Sequence, residues 1–346
     1  MAKKNIISFK PKNVTKNLVS VLTDRAKDVI SNRYGLGTSV KRMTLEAIGK
    51  KYDITRERVR QIENHSLGLI RKSKEYTRQE TAFLELQELI HAMGCLVSED
   101  DLLEAISDDS LTQNHIHFML VIGDAFIKSK EDEHFKHRWC VDTDLSEKVE
   151  ASLKKVYAAL SDADLISEPD MIKAFLGHLV DVADEFKNEE VAKRWLNVSK
   201  KVAKNPLGEW GKAKSNNISA KGMRDYAYLV IRKHGSPIHF KEVAKAIETM
   251  FGKKAHVATT HNELIKDKRF VLVGRGLYAL AEWGYMSGVV KDVIKKILEK
   301  DGPLTKEEIV DKVLKERYVK ENTILVNLQN GAFFRKSRDG KYALVK

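Results

Sequence analysis

Proline, cysteine and long apolar runs are scarce in this sequence, and each scarcity excludes a class of protein. Five prolines in 346 residues, with abundant Ala, Leu, Lys and Glu, favour helices. The two cysteines, Cys95 and Cys140, are too far apart to form a CxxC pair and are expected to be free thiols of a reducing cytoplasm. No run approaches the roughly 18 apolar residues of a membrane span, and the N-terminus lacks the apolar core of a secretory signal. The sequence therefore predicts a cytoplasmic, mainly α protein with no membrane partner.

Charge of one sign is confined to parts of the chain. The net charge is +12, with 18 Lys/Arg against 7 Asp/Glu (+11) in residues 1–75, 15 against 26 (−11) in 76–205, and 28 against 16 (+12) in 206–346. Such runs can be merely solvated faces, but basic segments also neutralise the phosphates of nucleic acids. A segregation this large favours two polyanion-binding ends and a middle that faces something else.

Catalytic and cofactor motifs are absent. The sequence has no GxxxxGK[ST], HExxH, GxSxG or paired CxxC motif. A loose cluster of metal-ligating residue types comprises His115, His117, His134, His137 and Cys140. The first two stand at i and i+2 of a predicted helix, where side chains diverge. We therefore predict no metal, no cofactor, no small-molecule ligand and no enzymatic activity.

Residues 44–63, TLEAIGKKYDITRERVRQIE, have the pattern of a helix-turn-helix. Gly49 supplies a small residue where two helices approach closely, and Asp53 occupies the turn, where φ > 0 is often required. Thr44 and Thr55 stand at the two helix starts as N-caps. The positions expected to be buried are all apolar: Ile48, Tyr52, Ile54, Val59 and Ile62.

The outward face of the second helix carries Arg56, Glu57, Arg60 and Gln61. The spacing i, i+1, i+4, i+5 places them on one stripe near the N-terminal end, which is the end that enters the major groove of DNA. Arg can bond guanine, Gln can pair with adenine, and Glu can accept from cytosine. These four residues are the predicted base-reading set.

A second set of residues is predicted to contact the DNA backbone. At the helix-turn-helix these are Thr44, Thr55, Arg71 and Lys72, the last two at a helix end where cations suit the helix dipole and phosphates alike. Lys268, Arg269 and Arg275 cluster at a predicted wing near the C-terminus and complete this set.

Residues 22–72 resemble region 4 of the bacterial sigma-70 family, and TRERVRQIE is nearly the family's own wording. In that family the region reads the −35 promoter element and docks on the flap of the RNA polymerase β subunit. The resemblance implies that Arg56, Glu57, Arg60 and Gln61 read bases, that Arg58 contacts the backbone, and that RNA polymerase is a candidate partner. No segment resembles the sigma regions that melt the −10 element.

Past residue 75 the chain repeats a theme of three helices followed by a strand, a turn and a strand, the order of a winged helix. The clearest copy begins at Met223, with a hairpin at FVLV-GRG-LYAL, and its segments SPIHFKEVAKAI and DKRFVLVGRGLYAL resemble the HARE-type helix-turn-helix. A copy from Gly288 has Thr305 and Glu308 as a capping box. A weaker copy spans about 82–141, with a hairpin predicted at 125–129 and 137–141.

The predicted fold is mainly helical, with an N-terminal helix-turn-helix followed by tandem winged-helix-like domains that have short β-hairpin wings. The predicted divisions are a basic segment (1–21), the region 4-like unit (22–75), a winged-helix-like domain (80–142), a helical connector or incomplete winged helix (146–204), a linker (205–222), a HARE-type winged helix (223–285) and a C-terminal winged-helix-like domain (286–346).

These features predict a sequence-specific, double-stranded DNA-binding bacterial transcription regulator that acts at initiation. Two alternatives remain at this point. One is an accessory, delta-like subunit of RNA polymerase, and the other is a DNA-bridging protein without sequence preference.

Overall fold

The computed structural model describes residues 6–37, 39–286 and 288–345. Within these ranges the chain is mainly helical with small antiparallel sheets, which confirms the predicted fold class. It divides into two compact units. The first comprises Met1–Ala203 with Trp210–Ala213, and the second comprises Lys204–Glu209 with Lys214–Lys346. In the described ranges, no helix is long and apolar enough to cross a membrane.

Four helices open the first unit: α1 (Pro11–Val19), α2 (Asp24–Tyr34), α3 (Leu45–Tyr52) and α4 (Arg56–Arg71). Proline starts α1, where its fixed φ suits the first helical turn and its missing N–H costs nothing. Val14, Leu18 and Val19 of α1 are buried. The segment predicted as merely basic (1–21) therefore contributes a helix to the core.

The pair α3–α4 forms the predicted helix-turn-helix. The Thr44 hydroxyl accepts a hydrogen bond from the Ala47 amide (3.1 Å), and the Thr55 hydroxyl accepts one from Arg58 (3.1 Å). Asp53 closes α3 in the left-handed conformation, with φ 52° and ψ 47°. The core of the helix-turn-helix consists of three fully buried side chains, flanked by the partly buried Tyr52, Ile54 and Ile62. The three are Val29, Ile48 and Val59.

Gly49 is the close-approach residue of this motif, because a Cβ there would lie 2.6 Å from the carbonyl oxygen of Ile54. We expect Gly49→Ala to lower the free energy of unfolding by about 1–3 kcal/mol, since backbone must move to admit the methyl group. Gly68→Ala in α4 is the matched control. A Cβ at Gly68 meets nothing within 4 Å, so helix propensity alone should stabilise by roughly 0.5–1 kcal/mol. Chemical denaturation of both variants gives the comparison, and equal effects would contradict the close approach.

Seven elements follow in a winged-helix order. They are α5 (Lys74–Arg78), α6 (Glu80–Ala92), β1 (Leu96–Ser98), α7 (Glu99–Ile106), α8 (Ser110–Ile122), β2 (Ile127–Ser129) and β3 (Arg138–Cys140). The strands form an antiparallel sheet in the order β1-β3-β2, with Val97 and Lys128 both paired to Trp139. We call α6–β3 the first winged helix. Its hairpin lies where the sequence predicts it.

A second winged helix follows, although the sequence predicts only a helical connector and a linker there. It consists of α9 (Thr143–Ala159), α10 (Glu168–His178), α11 (Glu189–Val198), β4 (Val202–Lys204) and β5 (Trp210–Lys212). Ile166 bridges to Trp210 and supplies the missing strand position. The predicted linker at 205–222 is wrong for residues 210–212, because Trp210 is only 1% exposed and anchors β5 in the core.

The second unit contains two more copies. The third winged helix has α12 (Met223–His234), β6 (Ile238–His239), α13 (Phe240–Phe251), α14 (Val257–Lys266), β7 (Phe270–Gly274) and β8 (Leu277–Leu280), with sheet order β6-β8-β7. The fourth has α15 (Val290–Asp301), α16 (Lys306–Glu316), α17 (Glu321–Leu328), β9 (Phe334–Lys336) and β10 (Tyr342–Leu344). The capping box at Thr305 and Glu308 is confirmed, with reciprocal bonds of 3.3 and 2.8 Å.

One hydrophobic core joins the N-terminal helices to the first winged helix. Leu18 of α1, Ile30 of α2 and Ile70 of α4 share it with Phe118 of α8 and Trp139 of β3. The helix-turn-helix is therefore built onto a winged helix, and burial of apolar surface couples the two.

Candidate nucleic-acid interface

The predicted base-reading residues lie together on the N-terminal half of α4. Arg56, Glu57, Arg60 and Gln61 are all exposed, as is Arg58 beside them. Thr55 is the N-cap of α4, and the helix begins at Arg56, so these side chains lie on its first turns. A helix entering a groove by its N-terminal end would meet these side chains first.

Four of these five side chains are already paired with one another. The Arg60 guanidinium donates to both carboxylate oxygens of Glu57, at 2.6 and 2.9 Å. This hydrogen bonding holds the pKa of Glu57 below its usual range. Arg58 donates to the Gln61 side-chain oxygen at 3.0 Å. Exposed pairs of this kind contribute little to stability because solvent screens them, so exchanging them for other partners costs little.

Arg56 differs from its neighbours. In the described part of the chain no carboxylate lies within ion-pair distance of it. Its charge stands at the start of α4, where the helix dipole already repels cations. An approaching phosphate or guanine would relieve that repulsion, so Arg56 is the reading-face cation with most to gain from DNA.

The predicted backbone contacts fall into two groups. Lys72, Lys268 and Arg275 are exposed, and the Thr44 and Thr55 hydroxyls are exposed but already accept their capping bonds. Arg71 instead donates to the carbonyls of Ile122 (3.0 Å) and Val121 (2.9 Å), which end α8.

Arg269 is likewise occupied inside the protein. Its guanidinium pairs with Asp267 (2.7 Å) and Asp225 (2.9 Å) and lies over the Tyr228 ring. Burial opposes the charge, but the hydrogen bonds that the guanidinium donates to the two carboxylates raise the arginine pKa. Arg71 and Arg269 thus both have partners inside the protein, with which a phosphate would have to compete.

A buried network that the sequence did not reveal holds α4 in place. Glu63 of α4 is 8% exposed and accepts from the Tyr34 hydroxyl (2.8 Å) and from Arg33 (3.2 Å), both of α2. Burial, and then the Glu63 charge, raise the pKa of Tyr34, so it remains a donor. Buried polar groups satisfied in this way fix one arrangement of the helices.

A second network ties the α2–α3 loop to the first winged helix. Asn114 of α8 donates to the carbonyls of Gly35 (3.1 Å) and Val40 (2.8 Å) and accepts from Arg42 (2.7 Å). Gly35 adopts φ +63°, and a Cβ there would lie 2.5 Å from the Asn114 amide nitrogen. The loop that leads into the helix-turn-helix is thereby held by a side chain from another domain.

Two histidines of the loose cluster, His115 and His117, also have polar partners in the first unit. The His115 Nδ1 lies 2.6 Å from the Thr15 hydroxyl of α1. The His117 Nε2 lies 3.1 Å from Lys128 Nζ, which donates to Glu99 at 2.7 Å. In the ranges that the structure describes, no three metal-ligating side chains converge.

The burial of His117 predicts acid sensitivity. Burial and the nearby Arg42 charge lower its pKa from 6.5 to about 3. Between those values the unfolded chain takes up a proton that the folded chain does not, so stability falls as pH falls. We expect His117→Gln to flatten this dependence by at most about 1.4 kcal/mol per pH unit. Urea unfolding from pH 7 to pH 4 measures it, with exposed His65→Gln as the control. An unchanged slope in His117→Gln would contradict the assignment.

The third helices of the four winged helices differ in exposure. In α8 only Ser110 is exposed, because the helix packs on α1 and α2. Five of the ten residues of α11 are buried, and Trp195 among them donates to the Gly94 carbonyl at 3.0 Å. In α14 and α17, by contrast, a face of each helix is open, including Ile265 (63%) and Val326 (58%). The third helix is therefore most enclosed in the first copy and has an open face in the last two.

Comparisons with known proteins converge on the N-terminal helices. The family model "Sigma-70, region 4" matches residues 18–72. The chain is 41% identical over 58 residues to the RNA polymerase sigma factor RpoD of Neisseria gonorrhoeae, covering 17% of this chain and 9% of that protein. It is 45% identical over 51 residues to the principal sigma factor HrdD of Streptomyces griseus, covering 15% of each.

A third relative, the sigma factor SigA of Synechocystis, is 41% identical over 68 residues, covering 18% of this chain and 16% of SigA. The chain thus spans less than a fifth of the length of these relatives, and the matched part contains α2, α3 and α4 with their caps and turn. Residues 18–72 are therefore a sigma-70 region 4 domain, the DNA-binding helix-turn-helix of transcription initiation factors.

Proposed function

We propose that this protein is a sequence-specific regulator of transcription initiation that reads duplex DNA through α4. The observation that carries the proposal is the exposed stripe of Arg56, Glu57, Arg60 and Gln61 on a capped helix-turn-helix. Each has the hydrogen-bonding groups for a base edge, and each good pair contributes roughly 1–3 kcal/mol of discrimination.

The proposed backbone contacts surround that stripe. Arg58 and Lys72 are exposed on and beside α4, and Lys268 and Arg275 are exposed in the second unit. Contacts to phosphate position a protein on the duplex and add affinity for every sequence. This division gives base readout to the N-terminal domain and general affinity to the basic C-terminal half.

Selection from a pool of random duplexes tests the proposal. Several rounds of capture by the full chain, followed by sequencing, should enrich one short motif. A chain with Arg56, Arg60 and Gln61 all changed to alanine should fail to enrich it. If the unmodified chain enriches no motif, sequence-specific reading is excluded.

A polymerase-associated accessory role is the second candidate, and the burial of α8 and α11 favours it. Those winged helices belong to the acidic part of the chain, where α8 has one exposed residue and half of α11 is buried. We infer that these winged helices bind a protein. RNA polymerase is the partner that a region 4 domain suggests. Copurification with the polymerase after nuclease treatment would support this role, and its loss on nuclease treatment would contradict it.

A further inference from the structure

Two lysines of the fourth winged helix converge on one aromatic ring. Lys291 Nζ lies 4.3 Å and Lys295 Nζ 4.2 Å from the centre of the Phe333 ring. The lysines stand at i and i+4 on α15, so their charges repel each other. In the described ranges neither ammonium has a carboxylate within ion-pair distance. The ring face offsets part of the repulsion by cation–π attraction but leaves both charges unneutralised.

The adjoining wing adds more unpaired cations. Phe334 is buried in the domain core, which turns its strand neighbour Arg335 outward. Lys336 and Arg338 are also exposed, and Asp339 is the single acidic residue between 331 and 345. Elsewhere in the same domain, lysines do have partners: Lys312 pairs with Asp301 (3.0 Å) and Lys315 with Asp311 (2.7 Å). Lys291, Lys295 and the three wing cations have no such partner within the described ranges.

We infer that Lys291, Lys295, Arg335, Lys336 and Arg338 form a phosphate-binding surface for the backbone of duplex DNA. A polyanion neutralises cations that the fold itself leaves unpaired, and release of its counterions drives the binding. The open face of α17 carries the uncharged residues Asn322, Thr323 and Val326, and the first turn of the helix also carries the exposed Glu321. Nothing on this surface makes a bidentate base-reading set, so it binds without sequence preference.

This inference rests on the proposed function for its choice of duplex DNA, because the same chain carries a DNA-reading domain. It adds a second contact surface at the opposite end of the sequence.

The test compares two double variants of the full chain on a duplex of random sequence. K291Q/K295Q removes two unpaired charges, whereas K312Q/K315Q removes two ion-paired charges from the same domain. Each lost phosphate contact lowers the slope of log affinity against log salt by about 0.9. Raising the salt from 50 to 200 mM weakens the binding of every variant. The factor by which K291Q/K295Q weakens should be roughly ten times smaller than the factor for the unmodified chain. K312Q/K315Q should keep the unmodified slope.

A capture assay gives a second measurement. An immobilised duplex of random sequence should retain K291Q/K295Q less than it retains K312Q/K315Q at the same salt concentration. If K291Q/K295Q is not folded by circular dichroism, R335Q/R338Q in the exposed wing replaces it in both assays.

Three results would overturn the inference. The first is equal salt slopes for the two double variants, and the second is equal retention of the two double variants on the immobilised duplex. The third is weakened binding of polyglutamate with unchanged binding of DNA, which would make an acidic protein the partner. These tests use a duplex with no defined site. Their results can therefore be interpreted even if the selection experiment enriches no motif.

Discussion

Replacing Arg60 by alanine should remove about 1–3 kcal/mol of discrimination at one or two base pairs of the selected site, or roughly a 5- to 150-fold loss of selectivity. Arg60 is exposed on α4, and its planar guanidinium already makes a bidentate contact with Glu57. The same geometry suits guanine O6 and N7. Binding to the selected duplex and to single-base variants of it, measured by fluorescence anisotropy, gives the selectivity.

Lys72→Ala is the matched control for Arg60→Ala. Lys72 is an exposed cation at the far end of the same helix, where only phosphates are within reach by our proposal. Its loss should weaken all sequences alike and lower the salt slope by about one unit. Uniform weakening by Arg60→Ala, with selectivity retained, would show that Arg60 is a backbone contact.

Phe118→Ala should lower the free energy of unfolding by about 3–5 kcal/mol and weaken DNA binding, although Phe118 lies 46 residues beyond the matched region 4 segment. Phe118 is fully buried in α8 and packs edge-on against the Tyr34 ring, with centroids 5.1 Å apart. Tyr34 in turn donates to Glu63 of α4 at 2.8 Å. The cavity would therefore open beneath the residues that hold the reading helix.

Leu84→Ala controls for the loss of apolar volume at an exposed site. Leu84 is 50% exposed on α6 of the same domain, so its truncation should change stability by no more than about 0.5 kcal/mol. Thermal unfolding and binding to the selected duplex are measured for both variants. If Phe118→Ala loses stability but keeps full affinity and selectivity at a temperature where it is folded, the first winged helix does not support DNA reading.

The local features of the helix-turn-helix could be predicted because each follows from a fixed offset in sequence. The caps at Thr44 and Thr55, the close approach at Gly49 and the turn at Asp53 depend on neighbours within a few residues. The outward stripe on α4 follows from helical periodicity in the same way. The assignment of that stripe to base reading remains a prediction.

The tertiary use of polar residues could not be predicted in this way. Arg71 and Arg269 have the same composition signature as phosphate-contacting arginines, but their partners are α8 carbonyls some 50 residues away and, for Arg269, a carboxylate 44 residues away. Asn114 binds a loop more than 70 residues earlier in the chain. Such pairings depend on packing between elements far apart in the sequence, which periodicity and propensity do not encode.

The second winged helix was missed for a related reason. Its strands have three residues each, too short for alternation to be recognised, and β5 lies in a stretch rich in Gly, Asn and Ser. The likeness of residues 223–283 to HARE-type domains stays a prediction, although the helices and hairpin expected there are present.

The two halves of α4 rest on cores of very different size. Val59, in the reading half, packs in a cluster with only Val29 and Ile48 fully buried, whereas Ile70, at the other end, belongs to the large core shared with the first winged helix. Local opening is easiest where few apolar contacts must be broken. The base-reading end of the helix can therefore loosen while the rest of the unit stays folded. Such a domain can adjust to a duplex at the moment of contact, and mild destabilisation would erode its choice of sequence before its fold.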